Sequence, residues 1–365
     1  MKSDKRHIVF CSTSIAKYDR RMQRIIGALV DSSYEVSWIS RAHIDEIDSD
    51  NVSHICIKTF FKKGILFYLE FNIRLFIKLL KHGKDIVSTV DLDTILAGSI
   101  YTILSGKKLV FDAHEYFSEV PELQGKPIKK KLWKCIARLC VPRSKANYTV
   151  GECLADVLSK DYGVEFSVIR NVDSYESVIN ETKPNGRNDI MYLGVLNQGR
   201  GIEELILSLH HLPSKYKLKL IGEGDLSQGL RELVKTEELT DRVHFLGMKN
   251  PSELPSLLSN GRLACNLLSN NSLSYYYSLA NKYFDYIHSG LPMIGMDFPE
   301  YRALNQQFKT SILINDLDPK QISQAILQLE DEHTYQLLKD NCKQAAIHLD
   351  WANEKNKLIA IYNQL

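Results

Sequence analysis

Residues 191–209, MYLGVLNQGRGIEELILSL, read as a strand, a glycine-bearing turn and a helix entered through Gly199-Arg200-Gly201. Toward the C-terminus the alternation continues. It runs through YKLKLIGEG, a helix near Asp225–Thr236, VHFLGM, a helix around Pro251–Ser259, LACNLL, a helix at Asn281–Ser289 and LPMIGM. Toward the N-terminus lie HIVFCS, a helix near Asp19–Ser32, YEVSWIS, DIVSTV, KKLVFDA, NYTVG and FSVIRN. Strands that alternate with helices build parallel sheets covered on both faces. Between the two series, SYESVINETKPNGRN (174–188) carries Pro184 and Gly186 and has neither period, which marks a linker. The expected fold is α/β, with two Rossmann-like doubly wound domains facing a cleft. The expected divisions are 1–171, a linker 172–188, a second domain 189–348, and a C-terminal helix 349–365 packing back on the first domain. Open sheets of this kind bind ligands outside the carboxyl ends of their strands, so the site is expected between the domains.

A chain of 365 residues suits two such domains, and 44% apolar with 25% charged residues is ordinary globular usage. The seven cysteines (Cys11, Cys56, Cys135, Cys140, Cys153, Cys265, Cys342) are scattered, with no C-x-x-C pair, which argues against a disulfide framework and a zinc site. MKSDKRHIVFC passes from charge straight into a strand, without a signal-peptide core, so a cytoplasmic protein is expected. Glu70, Arg74 and Lys78 interrupt the best candidate for a membrane span. Residues 1–172 hold 27 basic and 20 acidic residues, against 19 and 24 in 173–365. That asymmetry points to an anionic ligand or surface on the first half.

Chemistry concentrates in LANKYFDYIHSGLPMIG (279–295), a helix with Gly290 at its end followed by a buried strand. Asn281 and Lys282 fall at the helix start, where free N–H groups favour a phosphate. Asp285, one turn on, is placed to accept both hydroxyls of a ribose; an ordinary cap with a solvated Asp is the alternative. Around Gly199, backbone can approach a phosphate closely, and Arg200 supplies a cation beside it. VDLDT (90–94) contains a D-x-D, read here as two acids at a strand end and not as a metal site. His288 has no partner spacing and reads as a packed helix residue.

Four features together resemble the retaining glycosyltransferases of family 4, also called group 1, with GT-B fold. They are YLGVLNQGRGIEEL, the pair LKLIGEGDL and RVHFLG, NKYFDYIHSGLPMIG with its following DFPEYR, and FDAHEYFSEVPE in the first half. The resemblance spans nearly the whole chain. It implies a nucleoside-diphosphate-sugar donor on the second domain, an acceptor on the first, transfer with retention, and neither metal nor other cofactor. Arg200 resembles the basic residue at the donor diphosphate. Asp285 stands in the second Glu position of the E-x7-E motif, His114 resembles the histidine near the reacting centre, and Gly194 and Gly199 sit in the glycine-rich turn. Two positions depart: Tyr277 replaces the first Glu, and Val195 replaces a second basic residue. Lys282 is expected to supply the missing cation, and Tyr277 a hydrogen bond to the sugar. Asp112 and Glu115, flanking His114, are acceptor-side candidates, or caps of the next helix.

Two amphipathic segments, ILFYLEFNIRLFIKLLKH (65–82) and PIKKKLWKCIARLC (127–140), read either as packed helices or as attachment to anionic lipid. The expected acceptor is a lipid-linked glycan, and the setting surface polysaccharide assembly, such as lipopolysaccharide or capsule, at the inner face of the cytoplasmic membrane. A dinucleotide oxidoreductase is excluded because HIVFCS leads into STSIAKYDRR without G-x-G-x-x-G. No nucleic-acid module is recognisable. A GT-B-fold nucleotide-sugar epimerase and a catalytically degenerate partner subunit are the alternatives.

Overall fold

The computed structural model describes residues 6–41, 52–175 and 188–365, so residues 176–187 of the expected linker lie outside the described residues. The chain divides into two compact units. One comprises residues 1–171 together with 352–365, the other residues 172–351.

The first unit is built on a seven-stranded sheet: β1 (His7–Ile15), β2 (Glu35–Arg41), β3 (Val52–Ile57), β4 (Ile86–Val90), β5 (Lys108–Ala113), β6 (Ala146–Thr149) and β7 (Ser167–Val168). Their order is β3-β2-β1-β4-β5-β6-β7, every pair parallel. Ile8, Val9, Phe10 and Cys11 are all fully buried, as are all five residues of β4. Runs without alternation are what a sheet covered on both faces requires. Asp19 caps the helix Arg20–Asp31, its side chain accepting from the Met22 N–H at 3.0 Å. Strand order reverses between β1 and β4, so the carboxyl ends of these two strands flank the switch point.

The second unit repeats the plan in six parallel strands: β8 (Asp189–Leu193), β9 (Lys217–Ile221), β10 (Val243–Gly247), β11 (Leu263–Asn266), β12 (Met293–Met296) and β13 (Ser311–Ile314). The order is β10-β9-β8-β11-β12-β13, with its reversal between β8 and β11.

Both amphipathic segments are helices, Gly64–His82 and Pro127–Cys140. The first buries Phe67, Phe71, Leu75 and Leu79, one residue per turn, yet leaves Leu66, Leu69, Ile73, Ile77 and Leu80 exposed. The second buries Ala137 and Cys140 and exposes Ile128, Leu132 and Leu139. Packing therefore accounts for one face of each helix only. Among the described residues no helix is long and apolar enough to cross a membrane. None of the seven cysteines is joined in a disulfide among the described residues.

Candidate functional site

In the second unit, the chain leaving β8 turns at Gly194, whose φ of 138° lies outside the range of ordinary side chains. The Gly194 N–H donates to the Ile221 carbonyl at 2.9 Å. A β-carbon added at Gly222 would stand 2.0 Å from the Gly194 carbonyl oxygen. The loops after β8 and β9 therefore touch backbone to backbone. Gly199 (φ 79°) is equally confined, since a β-carbon there would meet Ser269 Oγ at 2.8 Å.

Arg200 stands between two glycines of positive φ, with its guanidinium carbon 5.9 Å from the centre of the Tyr275 ring. Its Nε is buried without a hydrogen-bond partner among the described residues. Lys282 lies in the helix Asn281–His288, only 7% exposed, with Nζ 4.1 Å from the centre of the Tyr192 ring. That Nζ is also buried without a hydrogen-bond partner among the described residues. Burial first, then the Arg200 charge, push the Lys282 amine down to about 7. Two buried cationic groups without a hydrogen-bond partner among the described residues stand at one glycine-rich turn, where a diphosphate would satisfy both.

Tyr286 fastens this helix to the sheet. Its hydroxyl accepts from the Leu193 N–H at 2.8 Å and lies 3.3 Å from the Cys265 carbonyl, bridging the ends of β8 and β11. The helix N-terminus is tied down by Ala280, whose N–H donates to Tyr301 Oη at 3.1 Å. Asn281 is exposed and Asp285 half-buried. Tyr277 follows the short helix Leu273–Tyr276, its ring 5.1 Å from that of Tyr276. His288 is a packed residue, bonded through Nε2 to the Leu349 carbonyl at 2.6 Å.

In the first unit, His114 follows β5, one strand from the switch point, and is held between two carboxylates. Nε2 lies 3.0 Å from Asp112 Oδ2 and Nδ1 lies 3.8 Å from Asp91 Oδ2, while the His114 N–H donates to Asp91 Oδ1 at 2.8 Å. Burial lowers the imidazole, but Asp112 and Asp91 outweigh it and raise His114 to about 9. The ring is thus an imidazolium at neutral pH. Asp112, expected on the acceptor side, is fully buried, and its other oxygen accepts from Arg21 at 2.8 Å. Despite burial, Arg21 and His114 hold its carboxyl below the usual range. It is packed between Arg21 and His114 with no exposed surface, which places it behind His114 and away from an acceptor hydroxyl. Glu115 is exposed.

The turn, Arg200 and Lys282 converge: a β-carbon on Gly194 would lie 3.9 Å from Lys282 Cδ. Sequence reading missed Tyr192 and Tyr275, the aromatic faces beneath the two cations, and Asp91. Asp91 was in view as half of the D-x-D. Its partner in that pattern, Asp93, turns elsewhere, accepting from Thr13 Oγ1 at 2.5 Å. Asp91 is also one of four non-glycine residues with positive φ among the described residues (54°), which carries its carboxylate to His114.

Residues 175–348 match the family model of glycosyl transferases group 1, and residues 19–172 match that of glycosyltransferase family 4. No curated protein matches the sequence. Solved structures share the fold. Sucrose-phosphate synthase from Thermosynechococcus elongatus superposes with a TM-score of 0.80 at 14% identity, covering 99% of each chain. Anabaena HepE in complex with UDP gives 0.77 at 13% identity, over 99% of this chain and 100% of that one. WaaG, a glycosyltransferase involved in lipopolysaccharide biosynthesis, gives 0.75 at 14% identity, over 96% of this chain and 98% of that one.

Proposed function

The chain belongs to the group 1 glycosyltransferases of family 4, and from that premise we propose that it transfers a sugar, with retention, from a nucleoside-diphosphate-sugar to a lipid-linked glycan acceptor in surface polysaccharide synthesis. One observation carries the donor: the buried, unsatisfied Arg200 Nε and Lys282 Nζ beside the Gly194 and Gly199 turns. A diphosphate fits there, its charge met by both cations and by the start of the helix Asn281–His288. Asp285 takes the ribose and Tyr277 the sugar. HepE, of the same fold, is described in complex with UDP and with UDP-glucose, which favours UDP as the first nucleotide to try.

Leaving-group stabilisation supplies most of the chemistry, with Arg200 and Lys282 balancing the charge that develops on the departing diphosphate. His114, an imidazolium whose two ring nitrogens face carboxylates, brings positive charge and fixed geometry; it is not a free base. Glu115, exposed beside it, is the group for the acceptor hydroxyl.

Thermal unfolding with UDP, GDP, ADP and CMP tests the donor site. A binder raises the apparent stability by mass action, and the shift is expected for one diphosphate nucleotide and lost in Arg200→Ala and Lys282→Met. An unchanged shift in both variants removes this site. A non-catalytic partner subunit is the second reading, favoured by Tyr277 in the Glu position and by Val195, 49% exposed where the family has a cation. Nucleotide binding without transfer to any lipid-linked acceptor would support it.

A further inference from the structure

We propose that a cavity in the first unit, beside Glu115, receives the apolar chain of an anionic lipid-linked acceptor, an inference that rests on the transferase reading above. The cavity measures about 590 Å³ and lies between the helices Gly64–His82 and Pro127–Cys140 and the segment 117–123. That volume falls within the roughly 300–1,000 Å³ of small-ligand sites.

Its inner wall is aromatic. The Trp133 ring stands edge to face against Tyr68 and Phe117, with centroids 5.1 and 5.0 Å apart. Leu123 and Val120 extend that wall.

Both flanking helices are fixed, so the cavity does not depend on a loose loop. Asn72 donates to the Asp93 carbonyl at 2.7 Å and accepts from the Ala97 N–H at 3.1 Å, which pins Gly64–His82 to the neighbouring helix Asp91–Ser105. Glu119, buried, pairs with Lys130 and Lys134 and pins Pro127–Cys140 to the 117–123 segment. Those two lysines are therefore engaged, and the cations at the cavity are Lys63, Lys126 and Lys129, all exposed.

Polarity is graded along the cavity. Glu115 lines it next to His114, and the Tyr68 phenol is raised first by burial and then by Asp93, Glu115, Glu122 and Asp91, so this wall borders the carboxylate cluster around His114. Away from that end, Ile65 and Leu132 line the cavity and are 56% and 42% exposed. The apolar surface continues over Leu66, Leu69 and Ile128, which soluble surfaces seldom expose together. An apolar chain with a phosphate or diphosphate link matches aromatic walls rimmed by lysines, and its sugar end would then reach Glu115.

The test uses the full chain and dodecyl phosphate brominated at the chain end, kept below its micellar concentration, with tryptophan quenching as the readout. Trp38 is buried and Trp351 belongs to the other unit, so quenching is expected in the wild type and lost in Trp133→Phe, which keeps an aromatic wall. Exposed Lys63→Glu and Lys129→Glu should each weaken binding about tenfold. Uncharged dodecyl maltoside and inorganic diphosphate should compete poorly. Equal quenching in Trp133→Phe, or quenching only above the micellar concentration, overturns the cavity and assigns the effect to a lipid surface on the exposed helix faces. UDP thermal shifts on the same samples separate the two readings. Donor binding without quenching overturns the cavity alone, whereas quenching with no shift from UDP, GDP or ADP removes the transferase reading and with it the acceptor role of the cavity.

Discussion

Lys282 is a buried amine held near neutrality, and this makes donor affinity a function of pH. A diphosphate needs the ammonium form, but burial and Arg200 have pushed the amine down to about 7 in the free protein. Above that pH a proton must be taken up on binding, so affinity should fall by up to about tenfold per pH unit until the higher pKa of the complex is reached. The diphosphate of a UDP-sugar does not titrate in this range, so the slope belongs to the protein. Calorimetric titration from about pH 6 to 9 should show it in the wild type, and Lys282→Gln should bind weakly with a flat profile. A flat wild-type profile would make Lys282 a packing residue. His114 gives a second pH signature, in stability. Its pKa is raised to about 9, so its contribution is fully present below the unfolded value near 6.5 and is lost as pH rises through 9. Urea unfolding should show the first unit losing stability over that range, and His114→Asn should be flatter above about pH 8.

Glycine turns decide whether the elements around the donor site can meet at all. Gly222 has φ 136°, and its missing side chain is what lets the loop after β9 lie against the Gly194 carbonyl. Gly222→Ala should cost about 2–4 kcal/mol of stability in the second unit and abolish the nucleotide shift, read by thermal unfolding with and without UDP. An alanine variant with full stability would mean the loops tolerate separation. The turn itself was legible in the sequence, since YLGVLNQGRG and LIGEG each end a strand in glycine. Its partner was not, because nothing in the sequence says that Gly222, after β9, lies against Gly194, after β8. The helix Gly64–His82 shows a similar limit. Charges every four residues revealed an apolar helix, but Phe67 and Phe71 pack while Leu69 and Ile73 face solvent, and all four are equally apolar. Which apolar stripe is buried depends on what the fold places beside it. Asp112 illustrates the same point for chemistry. Its position next to His114 was readable, but its burial against Arg21, 91 residues away, is a tertiary fact.

Across the whole molecule, the chain closes its first unit with its last helix. From Ala352 onward the helix Trp351–Asn363 belongs with residues 1–171, so the first unit is incomplete until the second has been traversed. Leu358 and Tyr362 are fully buried there, and Glu354 is 1% exposed. The Tyr362 hydroxyl donates to Ser88 Oγ at 2.9 Å, and its ring lies 6.2 Å from Phe10 and 6.5 Å from Tyr148. Glu354 accepts from the Arg170 N–H at 3.0 Å, and Lys355 pairs with Asp31 at 2.8 Å. Tyr362→Ala removes a buried ring and leaves Ser88 without its donor, so it should cost about 3–5 kcal/mol. The loss is expected in the first unit, because Ser88, Phe10 and Tyr148 all belong to it. In urea, the transition followed by Trp38 should move to lower concentration, while the UDP-dependent stabilisation of the second unit stays within error of wild type. If the nucleotide shift falls in parallel with the first transition, the two units unfold as one cooperative body, and the donor site depends on the closing helix as much as on its own sheet.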